Sequence, residues 1–269
     1  MSSFELTYDG ANLQKENTVL EVAGLKKSFG GLVVTDDVSL AIESGSITGM
    51  IGPNGAGKST LFNQISGFYD PDDGTVEVNG TDVTGKQPNK IVQEGLLRTF
   101  QTPRRLEKMT VREAMLVGAQ SQLGESILPL WISGAEVTRE ERANLERAME
   151  LLEFFEIDHL ATEPTTSLSG GQMKLLALAR ALMAEPDILL LDEPVAGINP
   201  TLVNQIAGFI EELNQEQGYT FFIIEHDIEF LMGLAEEVIV LNQGRVLLEG
   251  TPETVQSDER VINAYLGDM

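Results

Sequence analysis

One run, G-P-N-G-A-G-K-S at positions 52–59, constrains this chain more than any other feature. It matches the pattern G-x-x-x-x-G-K-[S/T], in which glycines let consecutive backbone N–H groups point at phosphate oxygens. The largely apolar residues 47–51 before it predict a buried strand, and residues 61–65 after it predict a helix. Because a phosphate-binding loop requires this order of strand, loop and helix, we predict a site for a nucleoside triphosphate.

The residues of this loop have separate expected tasks. The glycines allow tight backbone turns, and the positive end of the following helix faces the anion. Lys58 is expected to reach the β- and γ-phosphates as a point charge, and Ser59 to offer its hydroxyl to Mg²⁺. The predicted nucleotide contacts in this region are Gly52, Pro53, Asn54, Gly55, Ala56, Gly57, Lys58, Ser59 and Thr60.

A second apolar run, 188–191, ends in two carboxylates, Asp192 and Glu193. A continuous apolar run of this length predicts a central parallel strand that is covered on both faces. Asp192 is then expected to lie nearest Mg²⁺, and Glu193 to act as the base that polarises the attacking water. The alternative is that both acids cap the turn after the strand, with Glu193 merely solvated.

His226 follows another β-rich apolar run, 219–225, which also predicts a strand. In open parallel sheets, ligands bind at the carboxyl ends of the strands. A neutral imidazole at this edge would hold the γ-phosphate or the water through a hydrogen bond. The other histidine of the chain, His159, has no polar constellation near it in sequence, and we interpret it as a surface or structural residue.

The run L-S-G-G-Q at 168–172 precedes a segment rich in Leu and Ala, which predicts a helix that ends before Pro186. Ser169 therefore stands near a helix N-terminus, where anions are favoured. A Ser-Gly-Gly sequence alone is common in linkers. Together with the phosphate loop and the Asp-Glu pair, in this order and spacing, it distinguishes the chain from other phosphate-loop enzymes.

With these motifs the chain resembles the nucleotide-binding subunits of ATP-binding cassette (ABC) transporters, from about residue 19 to about residue 266. The resemblance implies an α/β fold: a P-loop NTPase (RecA-like) core with an N-terminal antiparallel β portion and an inserted α-helical subdomain. It implies ATP hydrolysis with ATP and Mg²⁺. It also implies a head-to-tail dimer in which the ATP on one protomer is contacted by Ser169, Gly170, Gly171 and Gln172 of the other.

The resemblance assigns two further roles and shows one departure from the family pattern. Gln101 matches a glutamine that contacts Mg²⁺ or the water and senses the membrane partner, and Phe29 matches an aromatic residue that stacks on adenine. Position 199, where many family members carry Asp, is Asn here, which keeps hydrogen-bonding capacity without the charge. A plain structural turn before Pro200 is an equal alternative for Asn199.

Flanking segments resemble the ATP-binding subunits of branched-chain amino acid importers, and these segments are 95–101, 109–113, 194–200 and 261–267. Lipopolysaccharide-export cassettes share parts of the pattern. The implied partners are a second ABC ATPase subunit, transmembrane permease subunits and, indirectly, an extracytoplasmic solute-binding protein. No apolar stretch approaches the ~18 residues of a membrane helix. We therefore expect a peripheral protein that permeases hold at the cytoplasmic face of the cell membrane.

The chain is strongly acidic, with 42 Asp and Glu against 18 Lys and Arg and a formal net charge of −24. This charge repels nucleic acid, which argues against DNA-repair and ribosome-associated cassettes. Self-repulsion destabilises such a protein at low salt, whereas at 1 M salt the Debye length falls to about 3 Å. We therefore hypothesise a halophilic source, with ordinary acidity for solubility as the alternative.

For domain organisation, we predict a flexible extension over 1–18 and a single ATPase domain over 19–269. Helical periodicity predicts a subdomain over about 102–182, and a C-terminal helix is expected over about 252–266. The apolar run 127–132 is either core, the preferred interpretation, or a docking surface for a transmembrane subunit.

Other functions stay open on the sequence alone: a soluble ABC-type assembly ATPase, a lipid or lipopolysaccharide export cassette, and a regulatory module that binds ATP without hydrolysing it. The 269 residues contain no Cys and 42% hydrophobic residues, enough for a sizeable core without disulfides.

Overall fold

The structure is a computed structural model, and it describes residue 15 and residues 17–99, 106–120 and 134–266. Gln101, the run 127–132 and most of the predicted extension 1–18 lie outside the described residues. The chain divides into two compact units. The first comprises Met1–Arg98, Asp187–Gly197 and Ile210–Met269, and the second comprises Thr99–Pro186 and Ile198–Phe209.

The strands are β1 Thr18–Phe29, β2 Leu32–Glu43, β3 Ile47–Ile51, β4 Asp73–Val78, β5 Thr81–Asp82, β6 Leu96–Arg98, β7 Ile188–Asp192, β8 Thr220–Ile224, β9 Glu237–Asn242 and β10 Arg245–Gly250. The helices are α1 Lys58–Ile65, α2 Pro88–Gln93, α3 Val111–Leu116, α4 Gly134–Phe154, α5 Gly170–Leu182, α6 Pro200–Gln217, α7 Ile228–Leu234, α8 Pro252–Ser257 and α9 Glu259–Leu266. Short 3₁₀ turns lie at Asp158–Leu160 and Thr165–Ser167.

All these strands belong to the first unit, where they form two sheets. An antiparallel sheet has the order β2-β1-β4-β5, and a six-stranded sheet has the order β10-β9-β3-β8-β7-β6. In the second sheet β9, β3, β8, β7 and β6 run parallel, and β10 pairs antiparallel with β9. β3, β7 and β8 are buried at every residue, as their largely apolar sequences require of strands covered on both faces. The predicted α/β fold class with an N-terminal antiparallel sheet is confirmed.

The core of the first unit combines residues from both sheets with the apolar face of α1. Phe62 of α1 is fully buried, and its ring lies 4.9 Å from that of Phe222 in β8, measured between centroids. Aromatic pairs at this distance stabilise a core beyond the area that they bury. This packing fixes α1, and with it the loop 52–57, against the parallel sheet.

The second unit is helical and contains α3, α4, α5 and the first part of α6. Its core includes a cluster of three aromatic rings, in which Phe155 lies 5.0 Å from both Phe154 and Phe209. Thr110 and Glu113 form a capping box, in which each side chain accepts a hydrogen bond from the backbone N–H of the other. This pair fixes the start of α3.

The C-terminal segment differs from the single helix that the sequence predicts over about 252–266. The structure has α8 and α9 there, separated at Asp258, whose backbone is extended with ψ 122°. The Asp258 carboxylate accepts a hydrogen bond from the Arg260 N–H at 2.8 Å and so begins α9. Among the helices in the described ranges, none combines the length and apolar character needed to cross a membrane.

Candidate functional site

The loop 52–57 joins the end of β3 to the start of α1. Gly57 is the N-cap of α1 and has a left-handed backbone, with φ 105°. A Cβ at this position would lie 2.6 Å from the carbonyl oxygen of Val34, so both the backbone angle and the space require glycine. With no side chain to cap α1, the first N–H groups of the helix remain directed at the loop, which is the arrangement that binds anions.

Lys58 is buried and folds back across this loop. Its Nζ donates hydrogen bonds to the carbonyl oxygens of Gly52 at 2.5 Å and Pro53 at 3.1 Å. Burial lowers the pKa of Lys58, while the charges of Glu193 and Asp192 act in the opposite direction. The ammonium group therefore lies in the field of the two predicted acids.

Asp192 is the last residue of β7 and is buried. Its Oδ2 accepts a hydrogen bond from Arg98 Nη2 at 2.7 Å, and Arg98 Nη1 donates to Asn63 Oδ1 in α1, also at 2.7 Å. A buried ion pair is tolerated when further hydrogen bonds satisfy its members. Arg98 therefore joins the end of β6, the end of β7 and the helix that follows the phosphate loop. Sequence patterns do not single out this arginine.

Glu193 and His226 are brought into contact by the neighbouring strands β7 and β8. The distance from His226 Nε2 to Glu193 Oε1 is 3.0 Å, and the side chains are 49% and 16% exposed, respectively. Glu193 has a left-handed backbone with φ 51°, and its N–H donates to the Ile224 carbonyl oxygen at 2.9 Å. A carboxylate in contact with an imidazole at a sheet edge has the geometry of a pair that can orient and deprotonate water.

Glu225 links the turn after β7, which carries Glu193, to the turn after β8, which carries His226. The sequence does not predict it as a site residue. Its side chain is buried, with Oε1 accepting from the Val195 N–H at 2.8 Å and Oε2 accepting from the His226 N–H at 3.0 Å. The sequence signal was available, because a carboxylate at the end of an otherwise apolar strand requires specific partners.

Phe29 ends β1 and is 43% exposed. Its ring packs edge-to-face against Tyr69, with centroids 5.4 Å apart. Asp72 accepts hydrogen bonds from Lys27 Nζ at 2.8 Å and from the Ser28 N–H at 2.7 Å. The hydrogen bond from Lys27 has the largest effect, and together with those from Ser28 it lowers the pKa of Asp72 to about 2. These hydrogen bonds hold the residues beside Phe29 in place, while Phe29 itself stays partly exposed.

The predicted residues Ser169, Gly170, Gly171 and Gln172 belong to the second unit. Ser169 is exposed at the N-cap of α5, where its Oγ accepts from the Gln172 N–H at 3.3 Å. Gln172 Oε1 accepts from the Ser169 N–H at 2.9 Å, which completes a capping box. A Cβ at Gly171 would lie 2.1 Å from a methyl group of Leu202. The helix tip is therefore rigid, small and electropositive.

Two other residues can be placed. Asn199 precedes α6, and its Oδ1 accepts a hydrogen bond from the Leu202 N–H at 3.0 Å, so it has a structural capping role. His159 is exposed in a 3₁₀ turn, as expected of a surface residue.

The residues predicted to hold Mg²⁺ have suitable chemistry. Ser59 and Asp192 offer a hydroxyl and a carboxylate oxygen, which are the donor types that Mg²⁺ prefers. Within the described part of the chain, no group of three or more His, Cys, Asp or Glu side chains forms a metal site.

Comparison with known families places these motifs in context. Residues 35–196 match the family model described as ABC transporter. Residues 245–269 match the model described as branched-chain amino acid ATP-binding cassette transporter.

The chain is 38% identical to the high-affinity branched-chain amino acid transport ATP-binding protein BraF of Pseudomonas aeruginosa, over 93% of this chain and 98% of that protein. It is 39% identical to the probable branched-chain amino acid transport ATP-binding protein LivG of Archaeoglobus fulgidus, over 93% of this chain and 95% of that protein.

Solved structures give the same picture. An ATP-binding cassette of an ABC transporter in its ADP conformation is 38% identical, with a TM-score of 0.81, over 94% of this chain and all of that one. A dimeric ATP-binding cassette in a post-hydrolysis state with ADP and Pi is 26% identical, with a TM-score of 0.70, over 87% of this chain and 98% of that one.

Proposed function

The chain belongs to the ABC transporter family, and from this premise we propose that it is the ATP-hydrolysing subunit of an importer for branched-chain or related amino acids. The observation that carries the proposal is the meeting of Lys58, Asp192 and the Glu193–His226 pair at one edge of the parallel sheet. The relatives named for branched-chain amino acid transport, and the matching C-terminal segment, support the solute class.

In this function the chain's own residues bind the triphosphate and activate water. The backbone N–H groups of residues 52 and 54–59, together with Lys58, bind the phosphates. Ser59 and Asp192 would hold Mg²⁺, which would neutralise charge on the phosphate oxygens. Glu193 accepts a proton from the attacking water, and His226 orients that water. The water oxygen bonds to the γ-phosphorus as the bond to the ADP oxygen breaks, which yields ADP and phosphate. Phe29 would stack on the adenine, and Gln101 would contact Mg²⁺ or the water and respond to the permease.

We propose further that the working unit is a head-to-tail dimer. Ser169 and Gly171 of one copy would contact the γ-phosphate bound by Lys58 of the other, as the exposed, capped N-terminus of α5 allows. The second copy is this chain or a similar ATPase. ATP favours closure because it can contact both surfaces at once, whereas ADP cannot.

Reconstitution into vesicles tests the transport function. The chain, its genomically neighbouring permeases and a solute-binding protein should together give leucine uptake that requires ATP inside the vesicle. Uptake should stop when Asp192 is replaced by Asn, and the chain alone should release phosphate without uptake. Phosphate release with no permease association, and co-purification with soluble proteins only, would favour the assembly ATPase instead.

The halophilic hypothesis predicts a large effect of salt on stability. With a net charge of −24, raising KCl from about 0.1 M to about 3 M should increase the thermal midpoint, because screening weakens self-repulsion. Scanning calorimetry measures this midpoint. Sucrose at matched osmolality is the control, because it stabilises through exclusion from the surface without screening charge. A midpoint that salt does not move would leave ordinary acidity for solubility as the explanation.

A further inference from the structure

Glu225 is a buried carboxylate that the proposed reaction does not use. It follows the last residue of β8 and is only 3% exposed. Removing a carboxylate from water is costly unless hydrogen bonds replace its hydration. A buried acid beside a hydrolytic pair is therefore expected to have a specific role.

The hydrogen bonds of Glu225 join two separate turns of the site. Oε1 accepts from the N–H of Val195, two residues after Glu193, at 2.8 Å. Oε2 accepts from the N–H of His226 at 3.0 Å. The first donor belongs to the turn after β7 and the second to the turn after β8, so one side chain spans the backbone segments that carry the two reacting side chains.

We propose that Glu225 is a positioning residue for hydrolysis, which holds the Glu193 carboxylate and the His226 imidazole at their 3.0 Å contact. This inference rests on the proposed roles of that pair. Glu193 has the left-handed backbone that non-glycine residues adopt only when the surrounding structure imposes it. The bond from Glu225 to the Val195 N–H, together with the bond from the Glu193 N–H to the Ile224 carbonyl oxygen, supplies that constraint.

A carboxylate is required because both of its oxygens, Oε1 and Oε2, accept hydrogen bonds. Glutamine has the same shape but offers one carbonyl oxygen, so its NH₂ group would face a backbone N–H donor in one of the two turns. Glu225→Gln therefore keeps the volume of the side chain and removes one of the two connections. Glu229→Gln is the matched control, because Glu229 lies exposed three residues after His226 and its replacement removes the same charge.

Steady-state kinetics of the full chain give the first test. Glu225→Gln should lower kcat for ATP hydrolysis about 10²-fold, the cost of misplacing a reacting group by about 1 Å, with KM for ATP changed less than about twofold. In a His226→Ala background, Glu225→Gln should cause almost no further loss, because the contact it maintains is already gone. A kcat equal to that of wild type, or an equal loss in both backgrounds, would overturn the proposal. If Glu225→Gln does not fold, Glu225→Asp, which keeps the charge on a shorter side chain, should give a smaller loss of the same kind.

The NMR signals of the histidine rings give a second test, which does not depend on turnover. The chain has only two histidines, so these signals can be assigned. His159→Gln assigns the signals of His226. Glu225→Gln should shift those signals, and it should reduce the further shift that Glu193→Gln produces. Unchanged His226 signals would refute the positioning role. A wild-type chain that binds but never hydrolyses ATP would refute the proposed function, and the NMR result would still decide this inference.

Discussion

Glu193→Gln is expected to lower kcat for ATP hydrolysis by about 10²- to 10⁴-fold, the usual contribution of a general base. Glutamine has the size of glutamate and can still contact His226, but it has no basic oxygen to take the proton of the attacking water. The substitution also removes a negative charge that repels the γ-phosphate. The same variant should therefore form a stable dimer with ATP and Mg²⁺, because the nucleotide that closes the dimer is no longer consumed.

Phosphate release and light scattering after size-exclusion chromatography measure these two effects. Glu185→Gln is a well-matched control, because Glu185 also has a left-handed backbone, with φ 47°, and is exposed just before β7. This control should keep normal turnover and should not accumulate as a dimer. A Glu193→Gln chain that keeps hydrolysing ATP would show that water activation lies elsewhere. One that stays monomeric with ATP and Mg²⁺ would contradict closure of the dimer by ATP.

The contact between Glu193 and His226 could be anticipated from the sequence for a physical reason. The runs before them are apolar and short, so each predicts a strand that is buried on both faces. The structure has β7 and β8 at those positions, in parallel and adjacent in the sheet. Side chains that follow the carboxyl ends of neighbouring parallel strands lie close together. The local pattern was therefore sufficient to bring this pair together.

The partners of Arg98 and Glu225 could not be anticipated in the same way. Arg98 is 94 residues from Asp192 in the chain, and the acidic composition offers many other carboxylates to an arginine. Only the packing of β6 beside β7 selects this one. Glu225 stands out in the sequence as a carboxylate after an apolar strand, but its partners are backbone N–H groups, which a residue pattern does not identify. The break at Asp258 is a local feature instead, because its extended backbone ends α8 and its carboxylate begins α9 within a pattern that is helical on both sides.

A mixture of two inactive variants is expected to recover ATP hydrolysis if sites are shared between copies. Lys58→Ala removes the phosphate contact of a chain's own site. Ser169→Asp alters the tip of α5, where aspartate caps the helix as well as serine but repels the partner's γ-phosphate. Each variant alone forms dimers with two defective sites. In a mixture, half of the dimers contain one copy of each, and such a dimer has one intact site, so about a quarter of wild-type activity should return.

Phosphate release from each variant and from an equimolar mixture measures this recovery. The control mixture pairs Lys58→Ala with Asp192→Asn, because both changes damage the site in the chain that carries them, and a mixed dimer then has no intact site. Recovery in the first mixture alone requires that Ser169 act on the nucleotide of the other copy. Specific activity should also fall as the wild-type chain is diluted, since a lone copy holds only half of each site. No recovery, or equal recovery in the control, would mean that each copy hydrolyses ATP with its own residues.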